Sequence, residues 1–264
     1  MKIAICQAGS MPFQEEALES YFKYIQKESL VIFGEYVFDL FFSDLKQKPK
    51  EMIAQLSLQK ILSLQKMAKR YKLKIVVPIV VADEKCKLYK KIAVIDAKTT
   101  EYYMQQRLIN YDHWNEEKFY SNPKKSFKTP YIFDFCGATI GVLFGFESHF
   151  DALWLKMQEQ NVDIVLVPTA STFESTKRWQ MLLQMRAFCS GMMVVRVNRT
   201  GSSMLENENI DFYGDSFIVD PDAQIVEKMG NKEGIVCYEF DLKTIREQAK
   251  VWGFKRIKNK RNKL

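Results

Sequence analysis

The side chains that could do chemistry are few and scattered. Five cysteines, Cys6, Cys86, Cys136, Cys189 and Cys237, could supply thiolate nucleophiles, metal ligands or disulfides. Their number is odd and none belongs to a Cys-x-x-Cys pair, which argues against a disulfide framework and against a zinc site. A reducing, cytoplasmic setting is the simplest reading. His113 and His149 are the only histidines. A metal centre needs more convergent ligands, so no metal and no cofactor is expected, and both read as surface or hydrogen-bonding residues. Glu35 taken alone is a loop acid after a short apolar run. Ser148 reads as a residue of a helix's first turn. Cys136 reads as a turn or core thiol, Cys189 as a packed helix residue, and Cys6 as buried in the first strand.

The elements that must position these residues alternate between two apolar periods. Continuous apolar runs predict strands over residues 2–8, 30–33, 73–81, 131–135, 139–144, 164–168 and 192–198. Residues 89–96 and 101–107 read as strands around the turn at Ala97-Lys98-Thr99. Residues 216–220, 224–228 and 234–241 read as a meander with a turn at Pro221-Asp222. Helical spacing predicts helices over 15–26, 52–71, 148–158, 175–190 and 242–250. Alternating strand and helix units with inserted hairpins suggest an α/β layer protein, with helices covering at least one sheet face.

Composition bounds the class. The chain has 264 residues, 47% hydrophobic and 27% charged, which excludes a disordered or collagen-like chain and suffices for a full core. No apolar run approaches the ~18 residues of a membrane helix; the longest, 75–82, suits a buried strand. The net charge is +7, yet six of the basic residues lie in the last ten. Without residues 255–264 the balance falls to +1, so the basicity belongs to a tail and nucleic acid is not an expected partner. The expected organisation is one domain, 1–254, followed by a basic C-terminal tail, 255–264.

The order of motifs resembles the nitrilase, or carbon–nitrogen hydrolase, superfamily. Lys2-Ile3-Ala4-Ile5-Cys6-Gln7 is similar to that family's first strand. Val31-Ile32-Phe33-Gly34-Glu35-Tyr36 resembles its strand ending in Pro-Glu, with glycine replacing proline. Glu117-Lys118-Phe119-Tyr120 resembles the setting of its second glutamate, with Glu116 offering a competing register. Ile140-Gly141-Val142-Leu143 leads into the family's elbow, and Val162-Asp163-Ile164-Val165-Leu166-Val167-Pro168 matches the strand beyond it. Trp179, Arg186-Ala187, Asn198-Arg199, Gly201 and the stretch from Tyr213 to Pro221 complete the order.

The resemblance implies an α-β-β-α four-layer sandwich that commonly dimerises into an eight-layer stack. It implies a Glu, Lys and Cys chemistry supported by a second Glu. The thiolate attacks an amide or nitrile carbon, ammonia or an amine leaves, and water releases the acid. Glutamate takes and returns the proton, and lysine stabilises the oxyanion. By this resemblance Glu35 and Glu117 are the two retained acids. Arg107, Trp114, Glu147 and Ser148 fall at or near the substrate-binding cleft, with Tyr111 at its mouth.

Two positions depart from the pattern. Gln105 stands at the lysine position, or Gln106 in a register shifted by one; Gly145 stands at the cysteine position. Losing one oxyanion donor costs about 2.7–4 kcal/mol of transition-state stabilisation, and losing the nucleophile removes the covalent route. Glycine also suits a strained elbow with positive φ. The resemblance thus implies an amidase-like fold acting on a small linear amide or carbamoyl compound, but catalytically impaired. The alternative is a pseudoenzyme that binds a small amine or amide, or a dimeric structural or regulatory subunit. Two acids without lysine would leave the pocket rich in negative charge and favour a cationic amine. A small-molecule amide or amine ligand and a homodimer or larger homo-oligomer are the expected partners, with no membrane.

Overall fold

The computed structural model describes residues 1–205 and 208–252; the basic tail, 255–264, lies outside the described residues. In chain order the strands are β1 (Lys2–Gln7), β2 (Leu30–Phe33), β3 (Lys74–Ala82), β4 (Leu88–Ile95), β5 (Thr100–Met104), β6 (Ile132–Phe135), β7 (Ala138–Val142), β8 (Ile164–Thr169), β9 (Met193–Asn198), β10 (Ser202–Leu205), β11 (Glu208–Asp211), β12 (Phe217–Val219), β13 (Ile225–Lys228) and β14 (Gly234–Glu239). The helices are α1 (Glu15–Phe22), α2 (Phe42–Leu45), α3 (Lys50–Tyr71), α4 (Asp151–Glu159), α5 (Thr176–Ser190) and α6 (Leu242–Val251).

Two six-stranded mixed sheets form, in the orders β14-β1-β2-β3-β4-β5 and β13-β12-β9-β8-β7-β6. Each has a parallel centre, β1-β2-β3 in one and β7-β8-β9 in the other. The central strands are buried on both faces, which is why they read as unbroken apolar runs. One face of each sheet meets the other sheet: Ile3, Ile5, Ile32 and Val76 pack in one cluster with Ile140, Val142, Ile164 and Leu166. The outer face of the first sheet buries Leu18 and Phe22 of α1 and Ile61, Leu64 and Met67 of α3. The outer face of the second buries Leu153, Trp154 and Met157 of α4 and Leu183 and Ala187 of α5. The layers are therefore helix, sheet, sheet, helix, as the resemblance implies.

Three local departures bear on the site. β5 ends at Met104 rather than at 107, because the N–H groups of Gln106 and Arg107 leave the ladder for the Glu147 carboxylate. The helix expected from 148 starts at Asp151, after a single 3₁₀ turn over Phe146–His149. The polar hairpin β10–β11 has no apolar alternation and is absent from the expectations above. Cys136 is an exposed residue of the turn between β6 and β7, Cys189 is exposed rather than packed, and Cys6 is buried.

Candidate functional site

The C-terminal ends of the parallel strands from both sheets meet at one cleft of about 460 Å³. Glu35, which follows β2, and Gly145, which follows β7, both line it. Aromatic side chains dominate the walls: Tyr111, Trp114, Phe146, Phe173 and Trp179, with both histidines among them. Ser171, Thr172, Ser175 and Arg178 add polar groups. A mostly apolar concavity with a few convergent polar groups is the usual form of a small-molecule site.

The sheets are brought together here by close backbone contact. Glu35 N–H donates to Thr169 O at 3.0 Å, bridging the end of β2 to the end of β8. A side chain at Gly34 would meet Arg199 N at 2.7 Å and the Asn198 carbonyl carbon at 2.9 Å. Glycine is thus required at 34 by the approach of the second sheet, and a proline could not sit there without moving that backbone. Tyr36 follows in the left-handed region at φ 59°, and the buried Arg199 guanidinium donates to Tyr36 O at 3.0 Å. That turn fixes where the Glu35 carboxylate lies.

Beneath Glu35 is a buried cation that the motif comparison does not reveal. Lys90, from β4, places its ammonium 2.5 Å from Glu35 Oε2 and 2.7 Å from Glu116 Oε1. Glu116 also accepts from the Tyr36 hydroxyl at 2.5 Å and lies near Ile109 N–H at 3.4 Å. All three ionisable groups are buried. Burial raises the Glu35 pKa above the ordinary carboxylate value; Lys90 opposes that and Glu116 adds to it. Burial also works against the charge on Lys90, but Glu116 and Glu35 together outweigh it and hold its pKa above the usual value. The ammonium therefore stays charged, and the Glu35 carboxyl holds its proton more tightly than an exposed glutamate does.

The acid beside Glu116 lies elsewhere. Glu117 pairs with the exposed Lys124 at 2.5 Å, outside the cluster. The turn explains the choice: Glu116 O accepts from Phe119 and Tyr120 N–H at 2.9 Å, which points its own side chain inward and turns Glu117 out. The competing register is thus the one the fold places at the site. The pocket is also not left with two unneutralised acids, since Lys90 stands between them.

Gly145 has φ −50° and ψ −51°, an ordinary right-handed conformation, so no backbone strain demands glycine. What a side chain would meet is Thr169: its Cγ2 lies 2.6 Å from the place of a Cβ. Thr169 is itself held, its hydroxyl donating to Asn198 Oδ1 at 3.0 Å. Ser148 is buried and gives its hydroxyl to Gly145 O at 2.6 Å, so it braces the elbow and does not face the cleft.

Glu147 is a second buried carboxylate, satisfied differently. It accepts from Gln106 N–H at 2.5 Å, Phe144 N–H at 3.2 Å and the Tyr103 hydroxyl at 3.0 Å, and no cation among the described residues pairs with it. Burial pushes its pKa up to about 7 against the pull of those donors. Glu147 positions the segment after β5 and does not line the cleft.

Gln105 is buried, donates to Arg107 O at 2.7 Å and leaves its Oε1 without a partner. Arg107 lies over the Phe127 ring at 4.0 Å and outside the cleft, whereas Trp114 and Tyr111 line it. Trp179 also lines it, while Arg186 binds the carbonyls of Ser148 and His149. Phe41 and Phe42 belong to the aromatic core behind Trp114. Residues absent from the sequence reading are Lys90, Thr169, Phe146, Phe173, Ser171 and Thr172; only their places in the fold bring them here. Among the described residues, no group of three or more His, Cys, Asp or Glu is arranged to hold a metal ion, and no helix is long and apolar enough to cross a membrane.

Two mixed sheets between helical layers, with a buried Glu–Lys–Glu cluster where their strand ends meet, define a four-layer α/β sandwich with its site at that junction. The Carbon-nitrogen hydrolase family profile matches residues 2–250, and the chain belongs to that family. It is 32% identical over 211 residues to an N-carbamoylputrescine amidase of Oryza sativa subsp. japonica, covering 73% of this chain and 67% of the relative. It is 27% identical over 200 residues to a deaminated glutathione amidase of Synechocystis, covering 70% and 71%. The fold superposes on a carbon-nitrogen hydrolase from Helicobacter pylori G27 with a TM-score of 0.83 at 17% identity, covering 97% and 94% of the two chains.

Proposed function

We propose that this chain is an amidase-like carbon–nitrogen hydrolase family member that keeps a pocket for a small linear amide or carbamoyl compound and has lost the covalent route. Gly145 carries the reading. It stands beside Glu35 at the cleft, where the resemblance puts the nucleophile, and it has no side chain. No cysteine lines the cleft to replace it. Glu35 supports a binding role: lining the pocket, it can accept an N–H or donate to a carbonyl, depending on its protonation. The aromatic walls suit a flat amide or carbamoyl group. The amidase names of the relatives support the same substrate class.

The cationic ligand expected from two unneutralised acids loses its basis, because Lys90 already balances one of them. The reading includes a homodimer or larger assembly, supported by exposed Met181 and Met185, one helical turn apart on α5. Light scattering that finds only a monomer at micromolar concentration would count against that part.

The direct test is ammonia release over a panel of small amides and carbamoyl compounds, with calorimetry on the same panel. The expected result is no release above the blank, together with saturable heat for at least one compound that weakens in Glu35→Gln. Release by the wild type that vanishes in Glu35→Gln would overturn the loss of hydrolysis and point to water activated by Glu35.

A further inference from the structure

We propose that Lys90 is the positioning residue of this site: from β4 it holds Glu35 and Glu116 as one cluster, in the duty that the motif order assigns to position 105. The inference rests on the preceding reading only in taking Glu35 as the acid of the cleft.

Three observations carry it. First, the ammonium contacts both carboxylates at once, 2.5 Å from Glu35 and 2.7 Å from Glu116, so it fixes their mutual orientation as well as their charge. Second, its surroundings leave it no other duty. It lies over the rings of Tyr36 at 4.6 Å and Phe144 at 5.3 Å, and Phe144 immediately precedes Gly145. A buried lysine gains nothing from packing that an apolar side chain would not supply better, so its place between two acids calls for an electrostatic reason.

Third, positions 90 and 105 are neighbours across the β4–β5 edge. Gln105 N–H donates to Lys90 O at 3.1 Å. Asn122 clamps the two together, its amide donating to both Lys90 O and Gln105 O at 2.9 Å. A side chain from either position starts from nearly the same backbone location. Gln105 turns its amide to Arg107 O and leaves Oε1 unpartnered, whereas Lys90 reaches the acids. The ammonium has moved by one strand and the cluster has kept its composition.

The remaining groups around the cluster are neutral or already paired. The Tyr36 and Tyr120 hydroxyls face Glu116, and burial holds both phenols well above their ordinary pKa. Asp39, beyond Tyr120, is paired with Lys60 at 2.6 Å. Lys90 is thus the one cation facing Glu35 among the described residues, and removing it has no substitute nearby.

The experiment is a carbon-13 titration of the glutamate side-chain carboxyls in the full chain without ligand, with Glu35 assigned through Glu35→Gln. Lys90→Gln is expected to raise the Glu35 midpoint by at least about one pH unit, a tenfold change in proton affinity. The exchange variant Lys90→Gln with Gln105→Lys is expected to return most of that shift. An unchanged midpoint in Lys90→Gln overturns the positioning role. A midpoint that stays raised in a folded exchange variant overturns the equivalence of the two positions. Should Lys90→Gln not fold, the Lys90 side-chain nitrogen resonance of the wild type decides. It is expected to step at the Glu35 midpoint and to lose that step in Glu35→Gln; a resonance that does not step overturns the proposal. None of these readings uses ligand or turnover, so they stand or fall separately from the ammonia-release test.

Discussion

The floor of the cleft and its elbow each bury a carboxylate, and they satisfy it by opposite means. On the floor, Glu35 and Glu116 share the Lys90 ammonium, which comes from a different strand. At the elbow, Glu147 takes backbone N–H groups and a hydroxyl and has no counter-ion among the described residues. The floor is an ion cluster whose members depend on each other. The elbow is a neutral cradle that pins the segment after β5. The charged groups lie on the floor, while the elbow presents Gly145, which has no side chain. Gly145 itself sits in a closely packed elbow, its Cβ position only 2.6 Å from Thr169 Cγ2.

The sharpest way to break this comparison is to remove the cation. Lys90→Met leaves two acids buried without a counter-charge, and it is expected to destabilise the fold by about 3–5 kcal/mol. Urea denaturation at neutral pH measures it. A loss under about 1 kcal/mol would mean that protonation of Glu35 alone relieves the cluster.

Glu147→Gln tests the neutral cradle. The new amide would point N–H groups at N–H donors, and the expected loss is about 3 kcal/mol. The pH dependence separates this from simple misfit. Glu147 has a folded-state pKa raised from 4.5 to about 7. A raised acid contributes stability that is full below its unfolded pKa and is lost as pH rises through its folded pKa. Wild-type stability is therefore expected to fall between pH 4.5 and 7 by up to about 3 kcal/mol. Glu35, also raised, acts in the same direction. In Glu147→Gln the slope over that window should be visibly shallower; an identical slope would assign the pH dependence to Glu35.

What the sequence shows and hides follows the same division. The central strands are legible because both of their faces are buried, and the family order could be read along them. Glu35 is legible because it follows β2, two residues past an apolar run. Lys90 is not legible, since its role arises from a neighbour across a sheet edge rather than along the chain. Glu116 and Glu117 are adjacent and chemically alike, and only the turn closed by Phe119 and Tyr120 decides which side chain goes in. The reason for glycine at 145 is likewise tertiary: the expected positive φ is absent, and the crowding comes from Thr169 on the next strand.

That crowding gives a third prediction. Gly145→Ala needs no backbone change, but its Cβ would stand 2.6 Å from Thr169 Cγ2. Relief requires Thr169 to turn and give up its bond to Asn198, and the expected cost is about 1–3 kcal/mol. Adding Thr169→Ser removes the methyl and keeps the hydroxyl, so the double variant should recover most of the loss. If the pair is no better than Gly145→Ala alone, then the elbow is closed by something other than that methyl. The comparison would sharpen, because placing any larger side chain at 145 would need a wider rearrangement.

The smallest expected effect draws the boundary of the floor. Glu117 lies one residue from the cluster and forms an ion pair with Lys124, whose side chain is 65% exposed. Exposed pairs of this kind contribute about 0–1 kcal/mol. Glu117→Gln should therefore change stability by less than about 1 kcal/mol and leave ligand heats in the wild-type range. Glu116→Gln should alter both, because it removes the negative charge beside Tyr36 and Lys90, turns one acceptor oxygen into a donor, and leaves Glu35 as the only acid on that ammonium. The two substitutions make the same chemical change at adjacent positions, so a difference between them reports the fold's choice of side chain. Equal effects would mean that the turn at Glu116 exchanges its two acids in solution, and the floor would then be a less rigid counterpart to the elbow than its buried contacts imply.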